Sequence, residues 1–229
     1  MDNPDPSATP RIEVERNGPY VVTGNVHITR RAIVNSPYGE PMTWQTTADL
    51  GSVEDAVLCR CGGSSSKPFC DDTHVRNHFV GPETAATSTY DERAELLGGT
   101  GMTIRKDSYL CQHTGFCGNR FEGIRAMAKE LREDDTEERT LLMAMIEHCP
   151  SGALTFRVEQ DSSDIEPELR QGIGVTANGP YFVTGGITIW RSDGEVLETR
   201  NRVTLCRCGK SSKMPLCDAT HRETGFADS

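Results

Sequence analysis

The residues of this chain best suited to chemistry are its nine cysteines. They form three sets of three with none left over: Cys59, Cys61 and Cys70, then Cys111, Cys117 and Cys149, then Cys206, Cys208 and Cys217. An odd number of thiols cannot all pair in internal disulfides, and clustered cysteines are typical of metal sites. The sequence therefore predicts three metal centres.

A histidine completes the first and last sets. In each, two cysteines stand one residue apart, the third follows after eight residues, and His74 or His221 follows after three more. A Cys/His pair one turn apart and two thiolates on one short segment can converge on a metal, which gives four ligands per site. Thiolate and imidazole suit zinc as well as iron, so the spacing alone leaves both metals open.

These two sets belong to an internal repeat. NGPYVVTG at 17–24 returns as NGPYFVTG at 178–185, and CRCGGSSSKPFCDDTH at 59–74 returns as CRCGKSSKMPLCDATH at 206–221. The first copy has the longer connection between the two motifs, most simply placed between Ser36 and Glu54. A duplicated domain interrupted by another unit follows from this pattern.

Each copy opens with apolar residues that alternate with polar ones, as in half-buried strands. The turn at residues 17–19 breaks the run, and the alternating positions are Ile12, Val14, Tyr20, Val22, Val26 and Ile28, then Ile173, Val175, Tyr181, Val183, Ile187 and Ile189. The stretches at 81–89 and 159–171 lack apolar periodicity and are predicted to be linkers.

The unit between the linkers has its own pattern. We expect a strand at 102–105, a helix at 119–133, a second helix at 137–148 and a strand at 153–158. The first helix would bury one face, and the second would begin at a capping pair, Asp135 with Glu138. The buried face would comprise Phe121, Ile124, Met127, Ala128 and Leu131. This order resembles half of a bacterial ferredoxin.

Both outer motifs are similar to the signature of the CDGSH iron-sulfur (NEET) family. The matching residues are Ser64, Pro68, Asp71 and Thr73 in the first copy and Ser211, Pro215, Asp218 and Thr220 in the second. One position departs in each copy, where the family glycine is Asp72 or Ala219. The resemblance implies one 2Fe-2S cluster on Cys59, Cys61, Cys70 and His74, and another on Cys206, Cys208, Cys217 and His221.

A histidine ligand has chemical consequences. Replacing a thiolate by a neutral imidazole removes negative charge from the cluster, which raises its reduction potential relative to an all-cysteine site. Protonation of the imidazole competes with iron, so such a site is sensitive to pH. Asp71 and Asp218 are predicted to cap the short helix that carries each histidine.

The middle set departs from the four-iron ferredoxin loop. Cys111 and Cys117 occupy the first and third places of that loop, Thr114 occupies the second, and Cys149 with Pro150 supplies the remote ligand. The segment HCPSGAL at 148–154 resembles the end of divergent single-cluster ferredoxin domains. The simplest count is a 3Fe-4S cluster on three thiolates, with a 4Fe-4S cluster completed by His113 or water as the alternative. His148 is expected to lie beside the site without binding metal.

Together these patterns predict an α+β protein of three domains. Two small β-rich CDGSH domains, residues 1–85 and 171–229, would form a pseudo-two-fold β core, and a ferredoxin-like α+β domain, residues 96–158, would be inserted between them. The duplicated chain would supply both halves of the family dimer, so we expect a monomer.

Charge and missing motifs narrow the function. Lys and Arg number 24 against 34 Asp and Glu, a net charge of −10 that disfavours nucleic acid and favours redox partners with a basic docking face. No catalytic triad, phosphate loop, membrane span or visible leader is present, so we expect a non-enzymatic, cytoplasmic protein. Single-electron transfer between a reductase and an oxidase or oxygenase is the preferred function, with cluster storage, cluster transfer or redox sensing as the alternative.

Overall fold

The computed structural model describes residues 9–98, 100–158 and 163–228. The strands are β1 Arg11–Val14, β2 Tyr20–Asn35, β3 Pro41–Leu58, β4 Glu95–Gly98, β5 Thr103–Lys106, β6 Leu154–Arg157, β7 Gly172–Thr176, β8 Tyr181–Thr184, β9 Thr188–Trp190 and β10 Arg202–Leu205. The helices are α1 Thr73–Arg76, α2 Tyr90–Arg93, α3 Ile124–Glu130 and α4 Thr136–Glu147, and a 3-10 turn spans Thr220–Arg222. None of these helices is long and apolar enough to cross a bilayer.

Strands of both repeats form one seven-stranded sheet. Its order is β10-β8-β7-β2-β1-β9, and β3 pairs with β2 along its whole length. The two repeats exchange strands: β1 of the first pairs in parallel with β9 of the second, and β7 of the second pairs in parallel with β2 of the first. The predicted pseudo-two-fold β core is therefore confirmed.

The register of this exchange is symmetric. Ile12 lies opposite Ile189, and Ile28 lies opposite Ile173. Ile12 corresponds to Ile173 in the repeat, and Ile28 corresponds to Ile189, so the two junctions are equivalent. All four side chains are buried. Burying a side chain of this size contributes about 1.5–3 kcal/mol, so the alternating apolar pattern of the strands fixes the register.

The extra residues of the first repeat lengthen the β2-β3 hairpin, whose tip lies at residues 36–40. Trp44 on this extension contacts both other domains. Its indole Nε1 donates to the carbonyl oxygen of His148 at 3.1 Å, and its ring centroid lies 5.2 Å from that of Phe116 and 5.6 Å from that of Phe182. The hairpin therefore docks the middle domain onto the second repeat.

The middle domain packs α3 and α4 against a three-stranded antiparallel sheet of order β4-β5-β6. The predicted strands and second helix are present, and the Asp135 side chain accepts from the Glu138 amide as expected of a cap. Two elements escaped prediction: β4, and α2, which begins with a capping box formed by Thr89 and Glu92.

The first middle helix is shorter than predicted at both ends, since it spans 124–130 instead of 119–133. Helix α3 begins at Ile124, because the Asn119 side chain accepts from the amides of Phe121 and Glu122 and holds this segment in a turn. Phe121 is consequently 81% exposed and lies outside the apolar face assigned to it.

The stretch at 81–89 has no helix or strand, as predicted for a linker. Of the predicted linker at 159–171, residues 159–162 lie outside the described residues.

Two buried tyrosines hold the repeats together at the cysteine loops. The Tyr20 hydroxyl donates to the carbonyl oxygen of Cys206 at 2.8 Å and lies 3.2 Å from that of Pro215. The Tyr181 hydroxyl lies 2.9 Å from the carbonyl oxygens of both Cys59 and Pro68. Burial raises the pKa of both hydroxyls well above the usual value, so both remain proton donors. Each repeat thus supports the cysteine loop of the other.

We predict that Tyr20→Phe and Tyr181→Phe each lower the free energy of unfolding by about 1–3 kcal/mol, because Tyr20→Phe removes the hydroxyl donor of the Cys206 carbonyl and Tyr181→Phe removes that of the Cys59 carbonyl. Urea unfolding followed by circular dichroism measures the effect. Tyr38→Phe is the matched control, since Tyr38 is 68% exposed and its hydroxyl loss should cost under about 0.5 kcal/mol. Losses no larger than that of the control would contradict the exchanged support.

Candidate metal centres

The first cysteine loop begins where β3 ends. The Cys59 amide donates to the Pro68 carbonyl at 2.8 Å and the Cys70 amide donates to the Val57 carbonyl at 2.8 Å, which closes the loop into a tight hairpin. The buried Ser64 hydroxyl donates to the Phe69 carbonyl at 2.6 Å. These bonds close the loop that carries Cys59, Cys61 and Cys70.

The second cysteine loop repeats this construction after β10. The amides of Cys206 and Cys217 donate to Pro215 and Thr204, and the Ser211 hydroxyl donates to the Leu216 carbonyl at 2.6 Å. The shared serine and proline of the two motifs therefore have a local structural role in each repeat.

The donor atoms of each loop lie at distances that a tetrahedral metal requires. The Sγ atoms are 3.8 Å apart in Cys59 and Cys61, and 3.7 Å apart in Cys206 and Cys208. Two thiolates at about 2.3 Å from one tetrahedral metal are about 3.8 Å apart. These pairs fit two sulfur ligands on one metal ion.

Each Cys/His pair also fits one metal ion. The Sγ of Cys70 lies 3.4 Å from Nδ1 of His74, and that of Cys217 lies 3.5 Å from Nδ1 of His221. A thiolate and an imidazole on one tetrahedral metal would place these atoms about 3.6 Å apart. The structure thus brings every predicted donor of the outer sites into a pair with another.

The histidines are positioned by a left-handed turn. Asp72 has φ 62° and Ala219 has φ 73°, and both stand where the family has glycine. These residues occupy the N-cap positions, so the predicted capping by Asp71 and Asp218 is wrong. Asp71 instead accepts from the Thr73 amide and from both the amide and hydroxyl of Ser65, and Asp218 makes the equivalent bonds. The aspartates tie the histidine turn to the cysteine loop.

One thiol of each close pair is readily ionised. The hydrogen bond from Cys59 lowers the pKa of Cys61 to about 6, and the hydrogen bond from Cys208 lowers the pKa of Cys206 to about 6. The partner thiol keeps the shared proton, so its pKa is raised. Because the thiolate is the metal-binding form, the hydrogen bond within each pair favours the ionised form of one ligand.

The two outer sites differ in their access to water. Cys206, Cys208, Cys217 and His221 are all buried, whereas Cys61, Cys70 and His74 are half-buried. The linker covers the second loop, because the amides of Thr84 and Ala85 donate to the Met214 carbonyl. The middle domain also contacts this loop, since Lys213 donates to the Tyr109 carbonyl. Burial also lowers the pKa of His221, which keeps its imidazole neutral, as metal binding requires.

A carboxylate accompanies the exposed site. Three atoms lie within 4.8 Å of one another: a carboxylate oxygen of Asp72, a ring nitrogen of His74 and the Sγ of Cys70. The second repeat has Ala219 at the equivalent position. The two sites therefore differ in local charge as well as in exposure.

The three middle cysteines line one cavity of about 240 Å³. Burial raises the pKa of Cys117, and the nearby Cys149 and Cys111 raise it further, so the three thiols lie close enough to repel as thiolates. Thr114 and His113 line the same cavity, as expected for the vacant ligand place and its neighbour. His113 has φ 56°, and its amide lies 3.4 Å from the Sγ of Cys111.

His148 lies beside this site at the end of α4. Its Nδ1 is 2.6 Å from the Ala144 carbonyl, and its ring stacks on Phe116 with centroids 5.6 Å apart. A ring nitrogen held by the helix agrees with the predicted role beside the metal site rather than in it.

Sequence reasoning missed two buried arginines between the paired cysteines. Arg60 donates to the carbonyls of Gly18 and Glu15, and Arg207 makes the equivalent bonds to Gly179 and Thr176. Their acidic partners are Glu83 at 3.6 Å and Asp228 at 2.8 Å. The sequence feature that could have indicated them is their identical position between the two cysteines of both CRC motifs. These bonds hold the backbone between the paired cysteines against the turn that opens each repeat.

The fold and the paired donors define a metal-binding protein with two repeated centres that flank a third along the sequence. Comparison with protein families matches the model described as "Iron-binding zinc finger CDGSH type" at residues 17–75 and 178–222, and the model described as "Divergent 4Fe-4S mono-cluster" at residues 97–159. Comparisons with curated proteins and with solved structures gave no significant match. The chain belongs to the CDGSH iron-sulfur family, with two CDGSH-type domains flanking a divergent 4Fe-4S-type domain. It is an iron-sulfur protein.

Proposed function

We propose that this chain is an electron carrier that passes single electrons between redox proteins through three iron-sulfur centres. Cys59, Cys61, Cys70 and His74 would hold one 2Fe-2S cluster, and Cys206, Cys208, Cys217 and His221 would hold the other. Cys111, Cys117 and Cys149 would hold a 3Fe-4S cluster, with a 4Fe-4S cluster as the alternative. When bound, these clusters supply the reversible one-electron chemistry.

The arrangement of donors supports two irons in each outer site. In a site with one tetrahedral metal, all four donor atoms lie within about 4 Å of one another. In the described parts of the chain, the only group of three or more such donors within 4.8 Å is Cys70, Asp72 and His74. The CxC pair is therefore a separate pair, which is the arrangement of a cluster with two sulfur ligands on one iron and Cys/His on the other.

The observation that carries the proposal is the direct contact between successive sites. A Cβ atom on Gly62 would lie 2.7 Å from the Cys208 carbonyl oxygen, and one on Gly209 would lie 2.5 Å from the Cys61 carbonyl oxygen. Both glycines have positive φ, so the two CxC loops meet through backbone atoms. The outer centres are thus neighbours.

The middle site is next to the second loop. Lys213 of that loop donates to the Tyr109 carbonyl and lies 3.4 Å from the Cys111 carbonyl. The second-repeat centre therefore stands between the other two. This order supports a relay in which the buried centre connects the middle cluster to the half-exposed first centre.

Surface charge indicates the kind of partner. One depression on the middle domain is lined by four acidic residues and one arginine, namely Glu122, Glu130, Asp135 and Glu138 with Arg132. Burial raises the pKa of Glu138, and its acidic neighbours raise it further, as expected for concentrated negative charge. With a net charge of −10, the protein favours a redox partner with a basic docking face.

The exposure of the first site favours one alternative, which is donation or loss of that cluster. Its Cys61, Cys70 and His74 are half-buried, whereas the corresponding residues of the second repeat are buried. Under this alternative the first cluster would be labile while the other two remained bound.

Anaerobic reduction and reoxidation of the purified protein separates these functions. We expect absorption and paramagnetic-resonance spectra of iron-sulfur clusters that return after each cycle, with the iron content unchanged. If iron is lost into solution, or is accepted by an apo-ferredoxin during cycling, the function is cluster donation and not electron transfer. A colourless protein containing zinc would overturn both functions.

The middle cluster is tested by Thr114→Cys. The oxidised protein should show a 3Fe-4S paramagnetic signal, and the variant should lose most of it on conversion to 4Fe-4S, because position 114 lines the cavity shared by the three cysteines. His113→Ala is the comparison variant and should retain the three-iron signal. Loss of the middle cluster in His113→Ala, with the outer two intact, would make His113 a ligand and favour the four-iron alternative.

A further inference from the structure

The side chain of Gln112 is buried without a partner. It follows Cys111 directly in the chain and is 2% exposed. Neither its Oε1 nor its Nε2 has a hydrogen-bond partner among the described residues. A buried amide without partners is unfavourable, so its presence indicates a partner that the protein chain does not supply.

Gln112 forms part of the wall between two cavities. One is the cavity of about 240 Å³ lined by Cys111, Cys117 and Cys149. The other, of about 150 Å³, is lined by His221 and Arg222 of the second repeat. Gln112 therefore borders both the middle cysteine cavity and the cavity beside the histidine of the buried outer site.

Other amide side chains make the protein contacts that Gln112 lacks. Asn201 donates to the Pro167 carbonyl at 2.9 Å, and Asn119 accepts from two backbone amides of its own turn. If Gln112 only filled space in the core, its Oε1 and Nε2 would be expected to bond to protein atoms as these two asparagines do. Sulfur atoms of a cluster in the adjoining cavity are acceptors for an N-H donor.

We propose that Gln112 donates a hydrogen bond from its side-chain nitrogen to a sulfur atom of the middle cluster and thereby raises the reduction potential of that cluster. This inference rests on the proposed iron-sulfur function of the middle site. Reduction adds negative charge to the cluster, and an N-H donor stabilises that charge. Gln112 would thus raise the reduction potential of the middle centre relative to the potentials of the two outer centres.

The first test is a redox titration of Gln112→Met followed by paramagnetic resonance. Methionine has a similar length and no donor. At a fixed potential, the ratio of reduced to oxidised middle cluster should fall about tenfold, which corresponds to about 59 mV for one electron. The first-repeat centre should be unchanged. Gln45→Met is the matched control, because Gln45 is exposed on β3.

An unchanged middle potential in Gln112→Met would overturn the hydrogen bond while leaving the iron-sulfur function intact. A middle site without any iron-sulfur signal in the unmodified protein would instead defeat the function on which the inference rests.

A second test leaves Gln112 unchanged and covers the case in which Gln112→Met fails to assemble the cluster. The protein is labelled with 15N at the glutamine side chains, and electron-nuclear double resonance is recorded on the paramagnetic middle cluster. The chain has four glutamines, and the label is introduced into a Gln160→Asn variant because Gln160 lies outside the described residues. Coupling to the labelled nitrogen is expected, since among the remaining Gln45, Gln112 and Gln171 it is Gln112 that lines the cysteine cavity. Absence of that coupling would overturn the proposal.

Discussion

The exchanged support between the two repeats is the constraint on which the rest of the structure depends. Tyr20 bonds to the cysteine loop of the second repeat, and Tyr181 bonds to that of the first. Since β1 and β9, and β2 and β7, also pair across the repeats, neither repeat completes its sheet or supports its own loop alone. Two metal-binding loops are thereby held back to back at a contact that only glycine permits, at Gly62 and Gly209.

The differences between the repeats make the surroundings of the two cysteine loops unequal, although the core itself is symmetric. The lengthened hairpin of the first repeat places Trp44 between Phe116 of the middle domain and Phe182 of the second repeat. The linker and the middle domain then cover the second cysteine loop, while the first stays half-exposed. Two nearly identical sequence motifs therefore become a buried centre and a half-exposed centre, which is the arrangement that the proposed relay requires.

Much of this structure could be predicted from local sequence patterns, whereas the rest depends on tertiary packing. The spacing of Cys59, Cys61, Cys70 and His74 predicts a convergent donor set because all of its members lie on one short loop, whereas the strand exchange was expected only from the family resemblance. The start of α3 was misplaced because the Asn119 side chain competes with the helix. The difference in burial between His74 and His221, and the unpartnered amide of Gln112, arise from contacts between domains that no local pattern encodes.

The central claim is that electrons move between the three centres inside one chain. A brief photoreduction that delivers less than one electron per molecule, followed by time-resolved absorption and freeze-quench paramagnetic resonance at several protein concentrations, measures this directly. We predict that the electron redistributes among the centres at a rate independent of protein concentration. A rate proportional to concentration, or an electron that stays where it was delivered although another centre has the higher potential, would contradict the relay.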